Sequence, residues 1–419
     1  MTAGMSQTRK RRVPLGLRGR LMGTMAAAAA WSVGFVGAAP AALAEDVQSK
    51  QWYLEPMHAE EMWKTTTGEG IKVAVIDSGV NPLTPSLKGQ VLKGFDASGT
   101  RGDEHDDYDG HGTTMAELIA GTGKGGGLQG LAPGAKIVPY RIADTARQRE
   151  KSVNAYDIRD AIRSAAETDA QIISMSFSSE FPTSEERDAV KYAQSKGKLL
   201  LGGVGNNAKK GNKEQFPASY PQVVGIAATD SSGKASTYSQ HGDSVDIAAP
   251  GDGIPIWCDS KFEKYCDSNG GTSQATAITS ASAALIWSAH PDWTANQVLN
   301  VLFDTAGRGD WEKGTLSNYL GHGIIRPAVN ILKGKGTPGA PDISPLTKEK
   351  TSGSTASPAA SASASSQPEK KDKAQDASMA GSSTEKNDDS QLGLILGGVA
   401  VVLVLGGGAF ALIRKRRTA

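Results

Sequence analysis

Six short aliphatic runs recur along the middle of the chain, at Lys72–Ile76, Lys136–Arg141, Ala170–Ser174, Lys198–Val204, Val223–Ala228 and Ser244–Ala248. Each is rich in Val, Ile, Leu or Ala and lacks the strict polar alternation of a one-sided strand, so each reads as a strand buried on both faces. Helical patterns fall between and after them, at Thr113–Ala120, Tyr156–Glu167, Glu185–Lys196, Ser273–Ala289 and Thr294–Thr305. This alternation predicts an α/β fold: a mostly parallel β-sheet flanked by helices on both faces. No internal repeat and no dinucleotide fingerprint is present. The glycine-rich run 121–127 lacks the Gly-Lys-Ser/Thr ending of a phosphate loop and reads as a surface loop.

The ends of the chain follow different patterns. Residues 1–44 carry six basic and no acidic side chains, then an Ala-rich apolar stretch closed by Ala42-Leu43-Ala44, which together have the three regions of a secretory signal peptide. Residues 391–413 form an uncharged, apolar stretch followed by Arg414-Lys415-Arg416-Arg417. As a helix it would be about 33 Å long, enough to cross a bilayer core. The basic tail 414–419 then marks the cytoplasmic side and leaves the bulk of the protein outside the cell, on a single-pass anchor in the cell membrane. Between them, 333–390 is rich in Ser, Ala, Pro and Lys and is expected to be a disordered linker, a tether spanning roughly 40 Å as a flexible chain.

Charge is best counted after the ends are set aside. Of 45 Lys and Arg, six lie in the N-terminal leader and four in the C-terminal tail, which leaves 35 basic against 44 acidic residues. That balance gives no footing for nucleic acid as a partner.

Candidate chemistry sits where strands meet helices. Lys72–Ile76 runs into Asp77-Ser78-Gly79, and an aspartate at the carboxyl end of a central parallel strand is where open α/β sheets place functional groups. Asp109-Gly110-His111-Gly112-Thr113 opens the next small-residue helix, and Leu199–Gly205 ends in the amide of Asn206. Gly271-Thr272-Ser273 opens a long Ala-rich helix, so Ser273 would stand in a first turn whose backbone N–H groups are unpaired. A serine is a weak nucleophile until a base takes its proton, the base needs an orienting acid, and the developing oxyanion needs donors.

Together these segments resemble the subtilisin-like serine proteases, whose acid, base and nucleophile follow one another in the order Asp, His, Ser. The resemblance covers about residues 68–332. It implies that Asp77, His111 and Ser273 form the catalytic triad and that Asn206 supplies the oxyanion donor. It further implies that Ser176, Phe177, Ser178, Gly203 and Gly205 line the pocket for the residue before the scissile bond. Those five carry no carboxylate, which points to small or hydrophobic substrate side chains. Two positions depart from the family pattern: Gln274 replaces a hydrophobic residue, and Ala277 a proline. With its leader, linker and C-terminal span, the chain most resembles the mycosins, membrane-anchored subtilases associated with type VII secretion in actinobacteria. The N-terminal extension 45–67 is similar to theirs, and it is too short for a folded inhibitory propeptide.

The implied function is an extracytoplasmic serine endopeptidase acting on proteins or peptides, with the type VII secretion machinery as a partner. The alternative is a structural or binding component of a membrane secretion complex whose catalysis is dispensable. No cofactor is required and no metal site is read. A structural calcium stays open, because the acidic run Asp103–Asp109 is either a solvated loop, a cation site or the rim of the substrate cleft. His105 belongs to that acidic run, while His58, His241, His290 and His322 lack the Gly-Thr context of His111 and read as surface or packing residues. Cys258 and Cys266, the only cysteines, lie close together in an exported protein and are expected to form a disulfide.

Overall fold

The structure is a computed structural model that describes Met1 and residues 47–142 and 155–351. All of these fall in the first of two units, 1–360; the second, 361–419, lies outside the described residues, as do the expected leader, membrane span and basic tail. No helix among the described residues is long and apolar enough to cross a membrane.

Seven parallel strands form the central sheet in the order β2-β3-β1-β4-β5-β6-β7. They are β1 (Lys72–Asp77), β2 (Phe95–Asp96), β3 (Lys136–Arg141), β4 (Ile172–Met175), β5 (Leu199–Gly203), β6 (Val224–Thr229) and β7 (Ile247–Pro250). Six match the aliphatic runs of the sequence; β2 is too short to leave such a run. Successive side chains of a strand point to opposite faces, and β1 shows the consequence. Val73 and Val75 enter one core, while Ala74 and Ile76 enter another on the far side of the sheet. Burying each such aliphatic side chain contributes on the order of 1.5–3 kcal/mol.

The helices are α1 (Ala59–Trp63), α2 (His111–Ala120), α3 (Ala155–Ala166), α4 (Ser184–Ser195), α5 (Thr272–Ala289), α6 (Ala295–Thr305) and α7 (Pro327–Ile331). α3 and α4 cover the face that receives Ile76; α2, α5 and α6 cover the other. α5 is buried along nearly its whole length, so its hydroxyls need internal partners. Thr276, Thr279, Ser280 and Ser282 each donate to the carbonyl four residues earlier, at 2.7–2.9 Å.

A short antiparallel hairpin of β8 (Ile256–Trp257) and β9 (Tyr265–Cys266) is closed by a Cys258–Cys266 disulfide, as the cysteine spacing predicts. It docks on α2: Trp257 donates its backbone N–H to Thr114 Oγ1 at 3.1 Å, and the Tyr265 hydroxyl donates to Glu117 Oε2 at 2.7 Å. The staple thus braces the helix that begins at His111 as well as the chain leading to Ser273. The extension 47–67 lies across the α2 and α5 side of the core, with Tyr53 and Met62 fully buried. Trp52 and Trp63 donate to the carbonyls of Asp252 and Leu131, both at 2.8 Å.

One expectation is corrected. The segment 333–351, read from composition as the start of a disordered linker, is laid against α6. Asn296 Nδ2 donates to the Pro341 carbonyl and Asn300 Nδ2 to that of Pro338, both at 3.0 Å; Leu346 packs on the core. Its backbone carbonyls find side-chain donors on α6, which composition alone does not reveal. The rest of the expected linker lies outside the described residues.

Candidate active site

The site is assembled at the carboxyl ends of the central strands. Asp77 closes β1 and is 5% exposed; its Oδ1 accepts from the Ser78 backbone N–H and from His111 Nδ1, both at 2.7 Å. His111 is the first residue of α2, and the approach of α2 to β1 depends on Gly112. A Cβ at that position would lie 2.1 Å from the Gly79 carbonyl oxygen and 3.1 Å from Asp77 Cβ. Only a residue without a side chain fits between them.

Asp107 fixes this junction. Its carboxylate accepts from the backbone N–H groups of Asp109, Gly110 and Thr113 and from the hydroxyls of Thr113 and Ser78. Ser78 Oγ in turn accepts from the Gly112 N–H at 2.9 Å. Within the acidic run, then, Asp107 is a buried ligand of backbone and hydroxyl donors, tying the end of β1 to the start of α2. Neighbouring Arg141 is 1% exposed and forms a two-pronged bond to Asp96, Nη2 to Oδ2 at 2.6 Å and Nε to Oδ1 at 3.1 Å. Among the described residues, no group of three or more His, Cys, Asp and Glu side chains is arranged to hold a metal.

Burial favours a neutral His111, but the charge of Asp77 and their hydrogen bond outweigh it, helped by Asp109 and Asp107, and push the imidazole up to about 9. Three of the other histidines stack or tilt against aromatic rings elsewhere. His290 stacks on Trp293 at 3.8 Å and His322 on Phe303 at 4.0 Å, while His241 tilts against Tyr319.

Ser273 stands in the first turn of α5, as the sequence pattern predicts. Its Oγ donates to the Ser176 carbonyl at 3.3 Å, and Ser176 Oγ donates to the Ser273 carbonyl at 3.4 Å. No hydrogen bond joins Ser273 to His111 among the described residues. Asn206 lies beside this turn. Its Oδ1 accepts from the Thr272 N–H at 2.9 Å and from Thr272 Oγ1 at 3.1 Å. Because the Thr272 N–H requires an acceptor, the amide oxygen is held inward and the Nδ2 donor is left facing away from Thr272. Gln274, one of the two departures from the family pattern, is 5% exposed and donates to Ser268 Oγ at 3.4 Å. α5 runs without interruption through Ala277.

The five expected pocket residues divide. Ser176, Phe177 and Ser178 line a cavity of about 450 Å³ together with Asp77 and His111. Gly203 and Gly205 are not among the residues that line it; a Cβ on the first would meet Thr272 Oγ1 at 2.9 Å, and on the second Gln215 Cγ at 2.6 Å. Glu186 also lines the cavity. Its place in Thr183-Ser184-Glu185-Glu186 reads in sequence as a helix cap, so nothing local marked it out.

The chain is 33% identical over 241 residues to a thermophilic serine proteinase of Bacillus sp. (strain AK1), covering 57% of this chain and 58% of that protein. It is 30% identical over 278 residues to thermitase of Thermoactinomyces vulgaris, covering 65% of this chain and 95% of thermitase. It thus spans less than two thirds of the first relative and nearly all of the second. Among solved structures, MycP1, described as a serine protease and an essential component of the type VII (ESX-1) secretion system, superposes with a TM-score of 0.57 at 29% identity over 67% of this chain and 88% of its own. The model of the subtilase family matches residues 68–323, and the chain belongs to that family.

Proposed function

We propose that the protein is a membrane-anchored, extracytoplasmic serine endopeptidase, with Asp77, His111 and Ser273 as its triad. The observation that carries this reading is the 2.7 Å Asp77–His111 bond, taken with a first-turn serine whose neighbouring asparagine turns its amide oxygen to Thr272 and so its Nδ2 donor away from it. In the proposed mechanism, a substrate N–H that pairs with the Ser176 carbonyl displaces Ser273 Oγ, which then turns towards His111. His111 takes the hydroxyl proton as the oxygen attacks the scissile carbonyl, and Asp77 holds the imidazole in position and stabilises the imidazolium. Charge gathering on the carbonyl oxygen is received by Asn206 Nδ2 and the Ser273 backbone N–H. His111 then returns the proton to the leaving amine, and water repeats the sequence on the acyl-enzyme.

The uncharged stretch 391–413 with Arg414–Arg417 behind it supports the anchor, and the leader 1–44 supports export. Likeness to MycP1 supports a place beside a type VII secretion system. A fluorophosphonate probe tests the core of the proposal: wild-type protein should be labelled and Ser273→Ala should not. Equal labelling of both, or none of either, would overturn it.

The same likeness favours a second reading, a scaffold role in such a complex. If deletion of the protein abolishes secretion and Ser273→Ala restores it, the scaffold carries that phenotype. If Ser273→Ala at normal protein levels copies the deletion, cleavage does.

A further inference from the structure

The cavity beside Asp77 and His111 contains a group that the triad does not use. Glu186 is 2% exposed and lines it together with Ile142, Ile158 and Phe177. Its Oε2 accepts from the Tyr220 hydroxyl at 3.2 Å; its Oε1 is buried and has no partner among the described residues.

Helix capping does not account for this carboxyl. Glu186 is the third residue of α4, and Thr183 Oγ1 accepts from its backbone N–H at 3.2 Å, one half of a capping box. In the other half, the glutamate would accept from the Thr183 N–H. Here the Tyr220 hydroxyl takes that N–H at 3.0 Å, so the carboxyl of Glu186 is not used by the cap, and the residue is one of those that line the cavity. A buried carboxyl oxygen without a donor is costly unless something supplies one, and the cavity that Glu186 lines is also lined by Asp77 and His111.

We propose that this cavity is a specificity pocket in which Glu186 receives the ammonium of a substrate lysine, the aliphatic stem lying against Ile142, Ile158 and Phe177. The proposal rests on the proteolytic reading above and names its substrate class: peptides with a lysine within a few residues of the scissile bond. It runs against the small or hydrophobic preference that the sequence implied for the pocket. Burial raises the Glu186 carboxyl to about 7, so it is ionised in the alkaline range where His111 is neutral. A bound ammonium would hold it in that state.

The test uses the full-length protein in detergent and internally quenched peptides varied at four positions before the scissile bond and two after it. Wild type should prefer lysine to norleucine by about tenfold or more in kcat/KM at one of these positions. Glu186→Gln, which keeps the shape, should cut that ratio at least tenfold, and Glu186→Leu should reverse it. Glu185→Gln should keep the wild-type ratio. Urea midpoints show whether the variants fold, and the wild-type ratio stands without them. A fluorophosphonate-labelled enzyme with no lysine preference, or one that Glu186→Gln leaves intact, would overturn the pocket while sparing the enzyme. If the protein neither labels nor cleaves, the proteolytic reading fails. Fluorescence anisotropy of lysine and norleucine peptides on Ser273→Ala, with and without Glu186→Gln, then decides the pocket by itself.

Discussion

Substitution of Gly112 by alanine is a sharp test of how the base is positioned. The new Cβ would lie 2.1 Å from the Gly79 carbonyl oxygen, about 1.3 Å short of the 3.4 Å at which ordinary contact begins. Both partners are backbone or backbone-adjacent, so neither can swing aside as a long side chain does. The start of α2 must therefore retreat from β1 by about 1 Å, and His111 retreats with it, stretching a bond that is now 2.7 Å. Misplacing a catalytic group by about 1 Å costs on the order of 10² in rate. Overpacking at such a site costs about 1–3 kcal/mol of stability. We expect kcat/KM on a peptide substrate to fall by about 10², with the rate of fluorophosphonate labelling at Ser273 falling in parallel, while urea unfolding shows a protein still folded at the assay temperature. Activity within threefold of wild type would show that the α2–β1 contact does not set the Asp77–His111 geometry.

Because His111 is raised to about 9, kcat/KM should still be climbing above pH 7.5, and a profile already level at pH 6.5 would refute the assignment. The sign also applies to folding: the charged pair stabilises the fold fully below pH 6.5, and that contribution is lost as pH rises through about 9. Asn206→Ala should lower kcat by about 10²–10³, the range known for the equivalent change in a subtilisin, with KM little altered; stopped-assay kinetics on one substrate would decide it. Replacing Cys258 and Cys266 together by alanine should cost up to about 2.5 kcal/mol for so short a loop, read from urea midpoints, and should also slow the enzyme because the hairpin braces α2. An exported domain ending at 332 should melt below one ending at 351, since the shorter form loses the bonds from Asn296 and Asn300; equal melting temperatures would return 333–351 to the linker.

Much of the architecture was readable because it is local. A strand buried on both faces in a parallel sheet must be short and aliphatic throughout, and the runs at 72–76, 136–141 and 198–204 have that character. The order of Asp77, His111, Asn206 and Ser273, each at a strand–helix junction, was likewise written in the chain, because turn glycines and small helix-opening residues mark those junctions by themselves. The disulfide followed from there being just two cysteines, eight positions apart.

Other features depend on residues far apart in sequence, and only the folded chain brings them together. Asp107 sat unmarked in an acidic run until the fold set it under five donors from Ser78, the turn before α2 and Thr113. The segment 333–351 has the composition of a linker, and its order comes from amides on α6 that no local pattern announces. Glu186 carries the signature of a helix cap. Tyr220, 34 residues on, takes over that cap and leaves the Glu186 carboxyl out of it, in a residue that lines the cavity beside His111. Local chemistry is encoded by neighbours in sequence, whereas the partner that completes or displaces a hydrogen bond is chosen by packing, and packing is settled only when the sheet and its helices close around one another.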